Sequence, residues 1–320
     1  MGHATTRVSG QLSRALRDHA RALVRGLPRA RRGDARAVHD VRVASRRLRE
    51  ALPVVDAALR SSHDAHSLRR ELRRLTSAFG DVRELDVAVQ TLEQHALSHE
   101  WPAVLSDRVQ THIESARDHR RRRLATYLDK VDVDRLGDRL RDVGAACDRL
   151  TATALSERQL LARVRKRARE FSGAVRAVGP LYSPEVLHAA RIAGKKLRYS
   201  LELLHDAAHA PVTRDLAALR AVQETLGQFH DLHVLQEHVR AVAAEAGDRS
   251  TVRALERVEG VMVGECRVLH ATFLARVSSL LALGDRLGRA TGITATSAAP
   301  MKMTRVGAAG ASRTKWKASA

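Results

Sequence analysis

The sequence predicts an all-α fold built from two similar halves. Between residues 11 and 290, Ala, Leu, Arg and Glu dominate, apolar residues recur every three or four positions, and alternating runs of β-branched residues are absent. Such spacing places apolar side chains on one face of a helix. Three segments of this region also recur once each, in the same order, which indicates a duplicated helical unit.

The duplication sets the expected domain organisation. The paired segments lie 147 to 149 residues apart and are 12–23 with 160–171, 38–52 with 187–201, and 72–87 with 219–234. We therefore expect one helical domain over residues 11–290, with halves at residues 11–150 and 151–290. Residues 1–10 are predicted to be a flexible N-terminus. Residues 291–320 lose the helical periodicity and contain no acidic residue, which predicts a disordered basic tail.

Four helices are expected in the first half. Asp34 can accept hydrogen bonds from the unpaired N–H groups at the start of the second helix. Pro53 lies where that helix would continue, so we expect a kink or an early end there. A third helix crosses Gly80, and Pro102 marks the break before the fourth.

The second half is expected to repeat these four helices. Ser156 and Gln159 have the spacing of a capping box at the start of its first helix. Ser183 and Pro184 supply a cap and a residue whose φ suits the first turn of its second helix. Pro211 marks the break before its third helix.

The chain is strongly basic. Its 56 Lys and Arg residues against 36 Asp and Glu residues give a net charge of +20. Such a charge attracts polyanions, whether nucleic acid, an anionic membrane or a phosphate polymer. Aromatic residues make up only 3% of the chain, which disfavours the base stacking used by readers of single-stranded nucleic acid. The composition therefore favours a partner without bases.

The second helix of each half is predicted to carry a row of cations opposite its apolar face. At about 100° per residue, a His and the cations three, seven and ten residues after it share one helix face. The row spans about 15 Å, at 1.5 Å per residue, and suits an extended anion. Its members are His39, Arg42, Arg46 and Arg49 in the first half and His188, Arg191, Lys195 and Arg198 in the second, flanked by Arg47 and Lys196.

Further arginines recur between the halves. Arg73 and Arg220 lie opposite the apolar stripes of the third helices and are expected to join the same surface. The first helices share two more pairs, which we expect to form a secondary basic surface: Arg17, Arg21, Arg165 and Arg169.

The doubled pattern H-x-x-R-x-x-x-[RK]-[RK]-L-R, with the Gly-centred segments, resembles the CHAD family, helical domains named for their histidines. The resemblance covers about residues 10–285. It implies a compact domain of two pseudo-symmetric four-helix bundles that binds inorganic polyphosphate along a basic surface or central groove. Carried onto this chain, it points to the following contacts: His39, Arg42, Arg46, Arg47, Arg49, His188, Arg191, Lys195, Lys196 and Arg198.

The chain departs from the family pattern at one segment. His230 and Asp231 keep the usual His-Asp pair in the second half, whereas the first half has Arg83 and Glu84, which we expect to be structural. In some relatives the domain is fused to a triphosphate-tunnel enzyme, whose E-x-E-x-K signature is missing here. We therefore expect polyphosphate binding without catalysis.

Metal-dependent and catalytic functions are not expected. His205 with His209, and His63 with His66, have helical spacing, but the sequence dictates no third ligand, so these are interpreted as surface histidines. The chain also lacks the carboxylate cluster of a metal phosphohydrolase and the glycine-rich loop of a kinase. No catalytic residue, metal or cofactor is therefore expected.

Nonspecific nucleic-acid binding by the same cations is the remaining alternative, because it depends on the same positive charge. A membrane partner is not expected, since no apolar run has the length of a membrane span and the N-terminus lacks the apolar core of a secretory signal. The two cysteines, Cys147 and Cys266, have no disulfide or metal spacing. A cytoplasmic location is expected, and the family resemblance suggests association with polyphosphate granules.

Overall fold

The computed structural model describes residues 2–59, 63–149 and 157–290, which form ten helices and contain no strand. The all-α prediction is confirmed. The helices are α1 (Gly2–Arg31), α2 (Ala35–Leu59), α3 (His63–Ser98), α4 (Ala103–Asp129), α5 (Val133–Arg149), α6 (Glu157–Ala177), α7 (Pro184–Ala208), α8 (Thr213–Glu245), α9 (Arg249–Leu274) and α10 (Val277–Arg289).

The two sets of five helices pack in the same order. In the first half, α1 packs against α2 and α5, and α3 packs against α2 and α4. In the second half, α6 packs against α7 and α10, and α8 packs against α7 and α9. The halves meet where α7 contacts α1 and α2, and where α3 contacts α8. The basic second helices of the two halves are therefore direct neighbours.

Each half has one more helix than predicted. The turns before α5 and α10 contain neither Gly nor Pro, so the sequence shows no strong break there. The turn before α5 is instead closed by Asp132, whose Oδ1 accepts a hydrogen bond from the Arg135 amide at 2.9 Å. The added helix of each half returns to pack against the first helix of that half.

Two helices extend further than expected. α1 begins at Gly2, so residues 2–10, which were expected to be flexible, form its first turns. Once a helix is nucleated, each added residue gains a hydrogen bond, and no Pro interrupts this segment. α2 runs through Pro53 to Leu59, so of the two outcomes expected there, a kink or an early end, the early end is excluded. The flanking Leu52 and Val54 are buried, and this packing offsets the hydrogen bond that Pro53 lacks.

The predicted caps have different outcomes. Asp34 caps α2, because its Oδ1 accepts a hydrogen bond from the Ala37 amide at 2.9 Å. Ser183 occupies the N-cap position of α7, but its hydroxyl donates to Glu185 at 3.0 Å and makes no capping bond. Ser156 lies outside the described residues. The breaks predicted at Pro102 and Pro211 are confirmed, since both lie between helices.

Two hydrophobic cores hold the halves together. The larger core combines residues from both halves, including the fully buried Phe79 and Phe171. The smaller core joins the α3–α4 pair to the α8–α9 pair around Leu92, Ile113 and Met262. Because both cores cross the boundary between the halves, the relative position of α2 and α7 is fixed by packing on either side of them.

A buried ion-pair cluster also joins the halves. Glu50 on α2 accepts hydrogen bonds from Arg163 Nη2 at 2.6 Å and from Arg167 Nη2 at 2.9 Å, both on α6. The three side chains are only 10–12% exposed.

Within the described residues, no single helix is long and apolar enough to cross a membrane, and only the bent pair α9–α10 passes that test by length and composition.

Candidate anion-binding site

Cations from both halves face each other between α2 and α7. Arg42 and Arg46 on α2, with Arg191 and Lys195 on α7, are half-buried and form what we call the central cluster. The pKa of Lys195 is lowered to about 6, first by burial and then by the charges of Arg191, Arg46 and Arg42. Arg46 Nη1 also donates to the Tyr199 hydroxyl on α7 at 3.3 Å. The two predicted rows thus contribute to one shared site.

Burial and mutual repulsion act on the other cluster members as well. The pKa of Arg42 is lowered to about 10, first by burial and then by Arg46, with smaller contributions from Arg83 and Arg191. The pKa of Arg191 is lowered chiefly by burial, while the nearby Asp231 opposes that shift. Holding these cations together therefore costs free energy that nearby carboxylates only partly offset.

Residues of α3 and α8 border the cluster. The rings of His188 and His230 lie 5.2 Å apart between centroids, and His230 Nε2 lies 3.4 Å from Glu84 Oε2 across the boundary between the halves. The pKa of Glu84 is lowered, first by its hydrogen bond to His230. The pKa of Asp231 is raised by burial, and the charges of Arg191, His230, Lys195 and Arg83 oppose this shift. The segment expected to be only structural therefore borders the cluster.

The site has more positive than negative charge. Arg83 joins the four cations of the central cluster, and Glu84 and Asp231 are the carboxylates whose charges act on them. Arg191 also has a buried Nε that makes no hydrogen bond. Buried donors are normally satisfied, so an unpaired guanidinium nitrogen among repelling cations indicates a place for an anion.

His39 and Arg47 face a neighbouring depression instead. With His19, they line a shallow space of about 360 Å³ between α1 and α2. Arg47 Nη2 lies 3.9 Å from Glu202 Oε2, and Arg198 Nε lies 3.7 Å from the other oxygen of that carboxylate. These three predicted residues therefore lie beside the central cluster, with Glu202 partly neutralising two of them.

Three other predicted residues lie toward α6, and a fourth is exposed on α8. The pKa of Arg49 is lowered, first by burial, and among its neighbours Glu50 raises it while Arg73 lowers it. Lys196 acts electrostatically on Glu170 of α6. Arg220 is exposed on α8. Apart from Arg220, the predicted residues thus divide into the central cluster, with His188, and a surrounding basic surface.

The secondary basic surface predicted on α1 and α6 is not part of this site. Arg17 donates to Ser13 at 2.9 Å on the face of α1 that packs against α5, and Arg165 donates to the Ala290 carbonyl beyond α10 at 3.4 Å. Arg21 pairs with Asp18, and Arg169 lies against Gly288 of α10. Arg17 and Arg165 are therefore half-buried beside the fifth helices, whereas Arg21 and Arg169 are exposed.

Several residues at the site were missed. Tyr199 lies four residues after Lys195, so helical spacing already places the two on one face. Arg83 aligns with His230 in the repeat, and that alignment indicates a shared location at the site. Arg83 was missed because the residue type differs from that of His230, although the two positions are equivalent in the repeat.

Comparisons with known proteins agree with this architecture. The sequence model of the CHAD domain matches residues 14–240, more than half of the chain. The structure of PptA from Streptomyces chartreusis aligns with a TM-score of 0.63 and 15% identity, covering 86% of this chain and 99% of that one. The CHAD domain from the plant Ricinus communis aligns with a TM-score of 0.56 and 21% identity, covering 88% and 91%. No curated protein matches the chain. At these identities, the structural likeness shows a shared fold.

Proposed function

This chain belongs to the CHAD domain family, and from that premise we propose that it binds inorganic polyphosphate in the central cluster without catalysing a reaction. The observation that carries the proposal is the convergence of Arg42 and Arg46 with Arg191 and Lys195 between the halves. Their mutual repulsion is relieved when phosphate groups supply the missing negative charge. Arg offers a planar fork that matches phosphate oxygens, and Lys adds a mobile point charge.

The surrounding basic surface extends the site along α2 and α7. Arg47 and Arg198 lie on one side of the central cluster, and Arg49 and Lys196 lie toward α6. A polymer longer than a few phosphates would contact these residues after filling the cluster. We further propose that the protein acts in the cytoplasm, where such binding would bring it to polyphosphate granules.

Nonspecific nucleic-acid binding is the competing function, and competition distinguishes the two. The protein is bound to immobilised long-chain polyphosphate at physiological salt, and double-stranded DNA, RNA and heparin are added at matched charge. We expect displacement only at large excess, because a narrow cluster between two helices admits a slender chain more readily than a duplex. Equal displacement by DNA or RNA would support the nucleic-acid function instead.

Polyphosphate affinity is expected to fall as pH rises above 6. In the protein without bound polyphosphate (the free state), Lys195 has a pKa of about 6, so its side chain is mostly neutral at pH 7. A bound polyanion favours its charged form and raises this pKa, so binding takes up a proton. Affinity is therefore highest below pH 6 and falls as pH rises from the free-state pKa toward the bound-state pKa. For one proton the fall is at most about tenfold per pH unit.

Titration calorimetry in buffers with different ionisation enthalpies measures this proton uptake. Internal phosphates of a long chain keep their single charge over the whole range and contribute nothing. Lys195→Arg is the matched variant, since guanidinium stays protonated and the site keeps its charge. Its affinity should vary much less between pH 6 and pH 8. A pH profile identical to that of the wild type would show that Lys195 is not the group that titrates.

A further inference from the structure

A second cluster of potential ligands lies away from the central cluster, between α3 and α9. His95 is in the last turn of α3, and His99 follows one turn later, where its amide donates to the His95 carbonyl at 3.0 Å. Glu265 extends from α9 toward both rings. Among the described residues, this group has one ligand atom from each side chain, all within 4.8 Å of one another.

The His95 ring is buried, and within the part of the chain that the structure describes its only charged contact is with Glu265. Its side chain is 5% exposed, and neither ring nitrogen makes a hydrogen bond, although Nε2 lies 3.3 Å from Glu265 Oε2. The ring is held between His99, at 4.2 Å between centroids, and the edge of Trp101, at 5.5 Å. Leaving a buried polar group unpaired costs about 1–3 kcal/mol. The structure therefore carries an unsatisfied imidazole directed into a group of other ligands.

We propose that His95, His99 and Glu265 bind a divalent transition-metal ion of the zinc class. Two imidazoles and one carboxylate are ligands that Zn²⁺ prefers, and three protein ligands with one open position make a common tetrahedral arrangement. With metal–ligand bonds of about 2.0–2.1 Å, two ligand atoms of a tetrahedral zinc site lie about 3.3 Å apart. The distance between His95 Nε2 and Glu265 Oε2 already has this value. His99 Nε2 is hydrogen-bonded to Glu265 Oε1 at 2.7 Å and exchanges that bond for one to the metal. His99 and Glu265 are about one-third exposed, which gives water access to the fourth position.

The proposed metal site lies between the two halves of the fold. α3 belongs to the first half and α9 to the second, and the smaller hydrophobic core lies beside the three ligands. The metal ion joins two elements far apart in sequence, so binding stabilises the folded chain in proportion to its affinity. The bound metal ion therefore cross-links the two halves. Metal binding does not depend on polyphosphate binding.

The test uses the full chain, stripped of metal with a chelator and free of polyphosphate. Zn²⁺ affinity is measured by competition with a chromophoric chelator, and thermal unfolding is followed with and without Zn²⁺. We expect one tight site per chain and a higher Tm with the metal. His99→Ala and Glu265→Gln should each weaken binding by more than about 100-fold, beyond the usual cost of losing an outer-shell partner. Both should also abolish the Tm increase.

His209→Ala is the matched control, because His205 and His209 have the same spacing in sequence but make other contacts. His205 Nδ1 lies 2.9 Å from the Ala210 carbonyl, and His209 Nε2 lies 2.6 Å from Gln11 Nε2. The control should bind Zn²⁺ as the wild type does. The proposal would be overturned if the wild type bound Zn²⁺ no more tightly than His99→Ala does. It would also be overturned if His209→Ala lost as much Zn²⁺ affinity as His99→Ala. Circular dichroism of the metal-free variants establishes that they are folded.

Discussion

Replacing Arg42, Arg46, Arg191 and Lys195 together with Gln is expected to reduce polyphosphate affinity by at least about 1000-fold, because four charge-assisted contacts are lost. The same variant should be at least as stable as the wild type. Burial and mutual repulsion lower the pKa values of Arg42, Arg191 and Lys195, so their charges oppose folding. Binding and stability are therefore expected to change in opposite directions. Fluorescence anisotropy with labelled polyphosphate and urea denaturation measure the two.

A control variant replaces the same number of Lys and Arg residues elsewhere. The four cations chosen are exposed on α8 and α9 and are replaced with Gln: Arg214, Arg249, Arg253 and Arg257. This variant should lose no more than about tenfold in affinity, since only long-range attraction changes. Similar losses in the two variants would show that the net charge of +20 and not the central cluster accounts for binding.

Glu50→Leu is expected to lower the free energy of unfolding by about 3–5 kcal/mol, because it leaves the buried Arg163 without a carboxylate and Arg167 with only the more exposed Glu170. Arg163 and Arg167 are each 12% exposed and bind Glu50 from α6. Chemical denaturation monitored by circular dichroism gives the change in unfolding free energy. The physical reason is desolvation, since water cannot replace the lost partner.

Two variants control for this effect. Glu170→Ala removes an exposed carboxylate that also pairs with Arg167, at 2.7 Å, and should cost less than about 1 kcal/mol. Replacing Glu50, Arg163 and Arg167 together with Leu and two Met residues should recover much of the lost stability, because no charge is left buried and unpaired. If Glu50→Leu cost no more than Glu170→Ala, the buried cluster would not be joining the halves.

Helical periodicity accounts for what could be predicted of the fold and of the site. It indicated an all-α chain. It also placed Arg42 and Arg46 on the face of α2 opposite its apolar side, and Arg191 and Lys195 on the equivalent face of α7. The contact between those faces could not be predicted, because about 150 residues separate them and packing between the halves determines it. Local pattern alone cannot distinguish one shared groove from two separate surfaces.

The other differences between the expected and the observed positions also have physical causes. A helical wheel groups residues over a broad arc, so His39 was placed with Arg42 although it lines the depression beside α1. The contacts of Arg17 and Arg165 with the fifth helices could not be predicted, because those helices follow turns without Gly or Pro. The ligand cluster of His95 and His99 was missed because its third member, Glu265, comes from a helix 166 residues away.

A crystal structure of the protein with a short polyphosphate bound would locate the ligand directly. We expect phosphate groups between α2 and α7, with oxygens at hydrogen-bond distance from Arg42, Arg46, Arg191 and Lys195. The otherwise unpaired Arg191 Nε should gain an oxygen partner. Phosphates bound only along the exposed cations of α8 and α9, with the central cluster unchanged, would show that the central cluster is not the binding site.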